Sequence, residues 1–425
     1  MRKVYMIGAN VLVGLVTVFG LSGVSSVQAA TQTLVPLDSS GGQGNGGVTT
    51  TTQASNDGRY VAFASTSSDL VTSDTNGFTD VFVRDTVANT TNLVTVSTSG
   101  AQANSGTAAF KMTGNGRYIM FLTYADNLAP MSPNSNTVVS TFLRDLQTST
   151  TTLVKAGYNH GEWDWASYSG MAMSEDARFI YYIKDGPNVS GAPRRLFVRD
   201  MLLGTDTQID INTSGVNANS ETIQADTSCD GRYAVFSSNA TNLVSGKTGN
   251  LYDIYLVDTM GTHAIKDITL GADASSTQAA ISCDGNYVYF GSSATNLVSG
   301  DTDGISDIFQ YGVATGITRV VSTDASGNLY TSGCSTTTAG CPSTNFAMSV
   351  DGRYLVFTYS KTSGSNSYKI LQMKDTVTNA LTRISQPTDN VSRGPVSTAD
   401  GRTTYYVARN IGDTYDKMYV ASSYL

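Results

Sequence analysis

The stretch SNDGRYVAFAS at residues 55–65 decides the fold, because variants of it return along the rest of the chain. An Asp-Gly step tolerates the positive φ angles of a tight type I′ turn, and the aromatic and apolar run after it is typical of a strand. Seven copies at a spacing of about fifty residues predict a repeat architecture. The other copies read TGNGRYIMF (113–121), SEDARFIYY (174–182), SCDGRYAVF (228–236), SCDGNYVYF (282–290), SVDGRYLVF (349–357) and TADGRTTYY (398–406).

The first repeat predicts a four-stranded antiparallel unit. Its strands are expected at 49–55, 60–63, 80–85 and 92–97. The second and third of these are apolar on both faces, which is typical of a sheet packed between two others. A ring of such sheets buries both faces of each one, so we predict an all-β, seven-bladed β-propeller of four-stranded antiparallel blades.

The last repeat supplies only three of its four strands. The missing strand is expected from TQTLVPLD at 31–38, which precedes the first repeat. A last blade closed by this N-terminal strand leaves no open sheet edge. We therefore expect one propeller domain over 31–425, with the closing strand and a linker at 31–47 and seven repeats at 48–425.

The first thirty residues are expected to lie outside the fold. They begin with MRK, continue with an apolar run at 6–21 and end in small residues. This order is typical of a secretory signal peptide, and we expect cleavage near Ala29 or Ala30. The alternative is a retained membrane anchor, for which the apolar run is short. The protein is therefore expected to be secreted or periplasmic.

The chain carries a formal net charge of -8, from 26 basic and 34 acidic residues. Binding to nucleic acid needs clustered Lys and Arg, and the sequence contains no such cluster. No stretch after the first thirty residues is apolar enough to span a bilayer. We expect a monomer that neither binds nucleic acid nor inserts into a membrane.

The sequence contains four cysteines, which allow three pairings. Cys334 and Cys341 close the short loop GCSTTTAGC, and we expect them to pair with each other. Cys229 and Cys283 occupy the same repeat position in neighbouring copies, where two units would meet. An exported protein meets an oxidising compartment, so we expect a second disulfide between these two. The alternative is free buried thiols.

The recurring pieces resemble the TolB-type, WD-repeat-like propeller repeat. The matching residues are the S-x-D-G-R-Y turn at 55–60, the V-F-V-R-D strand end at 81–85 and the loop NLVSGDTDGISD at 296–307. The resemblance covers essentially all of the chain after residue 30 and implies the propeller fold. TolB also carries an α/β domain before its propeller, which we do not expect here, so its particular partners are not implied.

Charged residues recur at two positions of the repeat. An Arg follows the first turn and an Asp ends the third strand, and both positions are expected on the same rim of the ring. We interpret them as a structural ion pair in each blade. Copy seven differs, because Arg402 has no obvious partner. The basic positions are Arg59, Arg117, Arg178, Arg232 and Arg353, and the acidic positions are Asp85, Asp145, Asp200, Asp258 and Asp375.

Two loops between second and third strands resemble part of a calcium-binding loop. They read DTNGFTD (74–80) and DTDGISD (301–307), with oxygen ligands at alternate positions and a Gly for a sharp turn. The candidate ligands for Ca²⁺ are Asp74, Asn76, Asp80, Asp301, Asp303 and Asp307. The alternative is a plain turn, because Asp-Thr-Asn-Gly favours turns by itself. Copy four has Lys247 where the first Asp would be.

The connection GYNHGEWDWASYSG (157–170) contains both tryptophans of the chain. We expect it on the rim of the calcium-like loops, near the mouth of the central channel. Aromatic rings there favour binding of sugar rings or peptide side chains. The alternative is that the tryptophans wedge between blades as local core. The candidate ligand-binding residues are Tyr158, His160, Glu162, Trp163, Asp164 and Trp165.

The leading hypothesis is a binding or scaffold propeller that holds a protein or glycan ligand on this rim. A second hypothesis is a polysaccharide hydrolase or lyase that acts there through Glu162 or Asp164, although the sequence identifies no catalytic set. A third is a structural surface protein whose loops calcium stiffens. The fold by itself does not decide among them.

Overall fold

The computed structural model describes residues 32–34, 38–42, 44–48, 52–130, 139–157, 170–184, 193–329, 342–363, 366–385, 390–409 and 417–422. Every regular element in these residues is a β-strand, and the strands number 28. In this part of the chain there is no helix with the length and hydropathy to cross a bilayer.

The strands form seven four-stranded sheets, which are the blades of the propeller. Strand β1 (Gln32–Leu34) precedes the first repeat. Blade 1 contains β2 (Gln53–Ala54), β3 (Tyr60–Ser65), β4 (Asp80–Asp85) and β5 (Thr90–Leu93). Blade 2 contains β6 (Thr107–Met112), β7 (Tyr118–Thr123), β8 (Ser140–Asp145) and β9 (Thr150–Lys155). Blade 3 contains β10 (Ala172–Met173), β11 (Phe179–Lys184), β12 (Arg195–Asp200) and β13 (Thr205–Gln208).

The remaining four blades repeat this order of strands. Blade 4 contains β14 (Thr222–Thr227), β15 (Tyr233–Ser238), β16 (Asp253–Asp258) and β17 (Ile265–Asp267). Blade 5 contains β18 (Ser276–Ile281), β19 (Tyr287–Ser292), β20 (Asp307–Gly312) and β21 (Thr318–Val320). Blade 6 contains β22 (Pro342–Met348), β23 (Tyr354–Ser363), β24 (Asn366–Asp375) and β25 (Leu381–Arg383). Blade 7 contains β26 (Asn390–Ser397), β27 (Thr403–Arg409) and β28 (Lys417–Ser422), and β1 is its fourth strand.

Pairing of β1 with β28 closes the ring. The two strands are antiparallel, with Gln32 opposite Ala421 and Leu34 opposite Tyr419. Strand β2 of blade 1 also contacts β26 of blade 7, so the first and last blades are neighbours. The prediction of seven blades, the last closed by the N-terminal strand, is therefore confirmed.

The core lies between the blades, and in blade 1 the second and third strands are buried on both faces. All six residues of β4 and five of the six in β3 are buried. Stacked aromatic rings join these two strands within a blade, as in Phe63 and Phe82 (ring centroids 5.8 Å apart) and Phe290 and Phe309 (5.4 Å). Side chains of neighbouring blades share one apolar cluster, as Val83 and Phe121 do between blades 1 and 2. Packing between neighbours thus stabilises the ring.

The turn between the first two strands differs from the type I′ turn that Asp-Gly favours. In the first copy Gly58 has a positive φ of 70° and Asp57 does not, whereas a type I′ turn needs both. The reason is the Asp57 side chain, whose Oδ1 accepts hydrogen bonds from Ser55 Oγ (2.6 Å) and Arg59 N (3.0 Å). These bonds hold a wider turn, in which Gly58 N donates to Ser55 O (2.8 Å).

The repeated Arg and Asp form an ion pair in five blades, which confirms the structural interpretation. Each guanidinium also lies over the aromatic ring of the next residue, as Arg59 does over Tyr60 at 4.9 Å. In copy seven, Arg402 lies 3.7 Å from Asp400 of its own turn. The five pairs are Arg59–Asp85 (2.8 Å), Arg117–Asp145 (2.7 Å), Arg178–Asp200 (2.9 Å), Arg232–Asp258 (2.8 Å) and Arg353–Asp375 (2.7 Å).

Candidate functional site

Main-chain hydrogen bonds join neighbouring blades at one end of the ring. The turns between first and second strands meet there, each through the residue that precedes its Asp or Asn. The bonds run from Asn56 N to Gly114 O (2.6 Å), Glu175 N to Cys229 O (2.7 Å), Cys229 N to Cys283 O (2.9 Å), Cys283 N to Val350 O (2.9 Å) and Ala399 N to Asn56 O (2.8 Å). We call this end the turn rim.

Two side-chain features add links between blades at the turn rim. The Glu175 carboxylate joins blade 3 to blade 2, because its Oε2 accepts a hydrogen bond from Gly114 N (2.7 Å). Burial raises the pKa of Glu175. A disulfide joins Cys229 of blade 4 to Cys283 of blade 5, with their Cα atoms 4.6 Å apart. The expected partners Cys334 and Cys341 lie outside the described residues.

The opposite end of the ring carries the loops between second and third strands and the connections from blade to blade. We call it the connection rim. An Asn in the loop of one blade binds the connection that enters that blade: Asn127 Nδ2 donates to Gln102 O (2.8 Å) and Asn242 Nδ2 to Asn217 O (2.8 Å). In blade 5, Asn296 Nδ2 donates to Gly271 O in the same way (2.8 Å). Loops and connections therefore lie together, as the sequence predicts.

The six predicted ligand-binding residues of the tryptophan-containing connection lie outside the described residues. They are Tyr158, His160, Glu162, Trp163, Asp164 and Trp165. The two residues that flank them are described. Gly157 N donates to Ser140 Oγ (3.1 Å) at the start of β8, and Gly170 lies against Ile183 near the end of β11. Both flanks therefore lie at the connection rim, between blades 2 and 3.

The predicted calcium ligands of blade 1 are bound by amide groups of the chain itself. Asn76 Nδ2 donates to Asp80 Oδ2 (2.9 Å). Gln102 Nε2 donates to Asp74 Oδ1 (2.8 Å) and to Asp80 Oδ2 (3.2 Å). Thr95 Oγ1 binds the other oxygen of Asp80. Burial raises the pKa of Asp80 to about 6, although these hydrogen bonds act to lower it. The amides thus satisfy two carboxylates that are almost fully buried.

The corresponding loop of blade 4 contains a buried ion pair. Lys247 Nζ binds Asp253 Oδ2 and donates to Leu251 O (2.8 Å). The side chains of Lys247 and Asp253 are only 3% and 2% exposed. Burial and the neighbouring Asp253 raise the pKa of Asp267 to about 7. The Lys247 ammonium group therefore pairs with one of the two acids at this site.

The loop of blade 5 brings three carboxylates together. Oxygens of Asp301, Asp303 and Asp307 lie within 4.8 Å of one another. Ser322 Oγ donates to one oxygen of Asp307 (2.6 Å). Neither buried oxygen of Asp301 has a hydrogen-bond partner among the described residues. Burial raises the pKa of both Asp301 and Asp307, the latter to about 7. Of the predicted ligands, these three form the arrangement that could hold a metal ion.

A groove of about 840 Å³ lies between blades 1 and 2. The arginines in its wall already take part in interactions that hold the blades together. Arg117 in its wall is bound to Asp145. Arg144 Nη1 donates to Ser97 O (3.3 Å) and to Thr151 Oγ1 (3.0 Å), which ties blade 2 to the end of blade 1. We therefore assign no ligand to this groove.

Sequence reasoning did not identify several of the residues that matter at the two rims. Lys247 was visible in the sequence at the position of the first Asp, but its pairing with Asp253 was not. Gln102 comes from the connection after blade 1, and no sequence pattern relates it to the loop at 74–80. Glu175 stands where the other turns have Asn, Gly, Cys, Val or Ala. The sequence therefore shows that this turn is unusual, but it does not show which group the carboxylate binds.

Comparison with known proteins supports the fold. No protein-family model matches the chain, and no curated protein matches it. Among solved structures, it is similar to an oligogalacturonate lyase from Vibrio parahaemolyticus, with a TM-score of 0.59, 13% identity and coverage of 93% of this chain and 97% of that chain. An oligogalacturonate lyase in complex with manganese gives a TM-score of 0.58, 13% identity and coverage of 93% and 98%.

The chain is also similar to TolB from Acinetobacter baumannii, with a TM-score of 0.41 and 14% identity. That match covers 71% of this chain, which spans 58% of the TolB chain. The protein is a seven-bladed β-propeller. At such low identities the likenesses concern the fold alone, so the function has to be argued from the two rims.

Proposed function

We propose that the protein is an exported propeller that binds a protein or a glycan on its connection rim. The observation that carries this proposal is the ring of hydrogen bonds between Asn56, Gly114, Cys229, Cys283 and their neighbours. Because these bonds tie the blades together at the turn rim, that end serves as the rigid scaffold and the ligand would bind at the opposite, connection rim. Binding modules of this kind use loops that a rigid scaffold positions.

The proposed contacts are the six residues of the tryptophan-containing connection, Tyr158 to Trp165. Their flanks, Gly157 and Gly170, lie at the connection rim. Tryptophan and tyrosine rings offer large contact areas at a small cost in conformational entropy, and they stack on sugars and on peptide side chains. The acids Glu162 and Asp164 would add hydrogen-bond acceptors beside the rings.

Export to the periplasm or the cell exterior is part of the proposal. The disulfide between Cys229 and Cys283 supports it, because disulfides persist mainly in oxidising compartments. The expected signal peptide at 1–30 supports it from the sequence. The negative net charge of -8 disfavours nucleic acid as the ligand. We propose that the propeller acts as a monomer.

A tryptophan-based binding assay tests the proposal, because Trp163 and Trp165 are the only tryptophans of the chain. Intrinsic emission would be titrated with defined oligosaccharides and with peptides, and acrylamide quenching would report exposure of the rings. The double variant Trp163→Ala/Trp165→Ala should lose binding in a label-free assay while its unfolding midpoint stays unchanged. Phe78→Ala is the matched control, since Phe78 is an aromatic residue of the connection rim that is 44% exposed.

An affinity that is unchanged in the double tryptophan variant would overturn the assignment of this site. Blue-shifted emission that acrylamide does not quench would place the two rings in the core. It would thereby support the wedge interpretation of Trp163 and Trp165.

A second candidate is an enzyme that cleaves a polysaccharide at the same rim. The observation in its favour is that the likeness to the two oligogalacturonate lyases extends over nearly the whole of each chain. Incubation with oligogalacturonides, with and without Mn²⁺, would reveal a lyase by the ultraviolet absorbance of its unsaturated product. A reducing-sugar assay would reveal a hydrolase. Product formed by the wild type but not by Glu162→Gln or Asp164→Asn would support the enzyme.

The third candidate is a surface protein whose loops calcium stiffens. The cluster of Asp301, Asp303 and Asp307 is the observation in its favour. This candidate predicts a melting temperature that falls in chelator and no ligand in any binding assay. Binding to the native state stabilises it by mass action, so the size of the fall would report the affinity for calcium.

A further inference from the structure

Three blades carry the same loop at the connection rim, and they differ in the charges that it contains. The loops read DLVTSDTNGFTD (69–80), NLVSGKTGNLYD (242–253) and NLVSGDTDGISD (296–307). The backbone is equivalent in blades 1 and 5, where Asp74 N donates to Val71 O (3.2 Å) and Asp301 N to Val298 O (3.3 Å). Asp74, Lys247 and Asp301 therefore occupy equivalent positions.

In blades 1 and 4 the chain itself supplies partners for the buried acids. Amide groups of Asn76 and Gln102 bind the carboxylates of blade 1. The ammonium group of Lys247 binds Asp253 in blade 4. Both solutions follow one rule, which is that a buried carboxylate needs a hydrogen-bond donor or a cation beside it.

Blade 3 also pairs a buried acid with donors and a cation, but the acidic and basic residues stand at exchanged positions. Its third strand begins with Arg195, where blades 1, 4 and 5 have Asp. The acid is Asp210 instead, at the position of Ser322 in blade 5. Thr222 Oγ1 (2.9 Å) and Gln208 Nε2 (2.9 Å) donate to Asp210, and Arg195 adds a favourable charge interaction. The exchange keeps one positive and one negative group at this place.

Blade 5 has neither the two amides of blade 1 nor the basic residue of blades 3 and 4 at these positions. Asp303 stands where blade 1 has the amide of Asn76. The bridges between Val96 and Gln102 and between Thr323 and Leu329 are equivalent, so the apolar Leu329 stands where blade 1 has Gln102. Ser322 Oγ still donates to Asp307, as Thr95 binds Asp80 in blade 1. Three carboxylates thus converge without the amides of blade 1 or the ammonium group of blade 4.

Asp301 provides independent evidence that a ligand belongs here. The residue is only 2% exposed, and both of its carboxylate oxygens are buried without a hydrogen-bond partner among the described residues. Leaving such a group unsatisfied costs about 1–3 kcal/mol or more, so native structures avoid it. A cavity of about 570 Å³ adjoins the side chain, lined also by Thr323 and Leu329.

We propose that blade 5 binds one Ca²⁺ ion between Asp301, Asp303 and Asp307, and that blades 1 and 4 do not bind calcium. The ion would occupy the place that the Lys247 ammonium takes in blade 4. Carboxylate oxygens are ligands for hard cations, and the cluster offers neither the thiolate nor the imidazole that zinc and copper prefer.

The spacing of the donors fits one calcium ion. Ca²⁺ binds oxygen at about 2.3–2.6 Å, so two oxygens on opposite sides of the ion lie about 4.8 Å apart. The carboxylate oxygens of the cluster lie within that distance of one another. Mg²⁺ requires shorter bonds and near-octahedral geometry, and it usually binds through one or two carboxylates, whereas this cluster offers three.

Isothermal titration calorimetry with CaCl₂ tests this proposal on protein that has been treated with EGTA and then freed of chelator. We expect one site per chain and a melting temperature that rises with Ca²⁺. Asp301→Asn should weaken Ca²⁺ binding by at least about a hundredfold, since loss of a direct ligand exceeds the effect of an outer-shell partner. Asp74→Asn, in the equivalent loop of blade 1, should leave both the stoichiometry and the affinity unchanged.

Asp301→Lys is the decisive second variant, because it copies blade 4. The new ammonium should bind Asp307 as Lys247 binds Asp253, so the variant should fold and melt at a temperature independent of Ca²⁺. Three results would overturn the proposal: no Ca²⁺ binding by the wild type, unchanged binding by Asp301→Asn, or loss of the site in Asp74→Asn. None of these measurements involves the proposed protein or glycan ligand, so failure of that function would leave the calcium site standing.

Discussion

Lys247 and Asp253 form a buried ion pair at the position that Asp301 and Asp307 occupy in the next blade. A single residue, Lys or Asp, therefore decides whether the chain supplies its own cation at this place. The difference is local, because the two loops share the NLVSG stretch that precedes it. Repeat proteins can vary such a site in one blade without disturbing the others, since each unit contacts only its neighbours.

Replacement of Lys247 by Ala should destabilise the propeller strongly. The change removes the Lys247 ammonium group and leaves the buried Asp253 and the half-buried Asp267 without it. Breaking a buried pair in this way costs about 3–5 kcal/mol. Urea unfolding of Lys247→Ala would measure the loss, with the exposed Lys369→Ala as the control. A loss below about 1 kcal/mol would show that water reaches the site and that the pair is not buried in solution.

Removal of the disulfide in the turn rim should destabilise the ring moderately. Cys229 and Cys283 are separated by 54 residues, and a crosslink over such a loop contributes about 2–4 kcal/mol. The double variant Cys229→Ala/Cys283→Ala should show this loss in urea unfolding under non-reducing conditions. Cys334→Ser/Cys341→Ser is the control for the other two cysteines. Equal stability of the wild type and the Cys229/Cys283 variant would contradict a formed disulfide.

The Arg–Asp pairs should make stability depend on pH in the acid range. The Arg117 guanidinium is the main cause that lowers the pKa of Asp145 to about 2, whereas an Asp in an unfolded chain has a pKa of about 3.9. A depressed pKa means that the stabilisation is fully present above the unfolded value and is lost as pH falls toward about 2. Because the Arg117 side chain is 39% exposed, we expect only about 0.5–1 kcal/mol from this pair.

A double-mutant cycle with Asp145→Asn and Arg117→Gln would measure that coupling. The coupling energy should be constant from about pH 7 to about pH 5 and should decrease between about pH 4 and about pH 2. A coupling that does not change over this range would show that the ion pair does not form in solution.

Much of the fold could be predicted from the sequence, because the information that decides it is local and repeated. Each turn and each doubly apolar strand pair is visible within one copy, such as SNDGRYVAFAS. The three-stranded last repeat also indicates that β1 has to close the ring. The turn type could not be predicted, because the Asp57 side chain binds the backbone of its own turn and competes with the type I′ geometry.

The two rims could be predicted less well, because they depend on contacts between blades. The sequence shows that Asp74, Lys247 and Asp301 occupy equivalent positions. Whether the carboxylates in blades 1 and 5 have an amide donor depends on Gln102 and Leu329, which come from separate connections. The same holds for Glu175, whose partner Gly114 lies 61 positions earlier in the chain. Residues brought together only by the ring itself leave no periodic signal in the sequence.

The Glu175 carboxylate should act as a specific link between blades 2 and 3. Its Oε2 accepts the Gly114 N–H (2.7 Å), and Glu175 O accepts a hydrogen bond from Asn115 Nδ2 (2.8 Å). Glu175→Ala removes the side-chain acceptor and should cost about 1–2 kcal/mol in unfolding free energy. It should also speed hydrogen exchange at the Gly114 amide.

Glu175→Gln separates the hydrogen bond from the charge, because its amide oxygen can still accept from Gly114 N. We expect exchange at Gly114 to remain slow and stability at neutral pH to stay within about 0.5 kcal/mol of the wild type. Burial raises the pKa of Glu175, so ionisation is less favourable in the folded state than in the unfolded one. The wild type should therefore gain stability relative to Glu175→Gln as pH falls through that raised pKa. Fast exchange at Gly114 in both variants would show that the carboxylate, and not merely an acceptor, is required at this position.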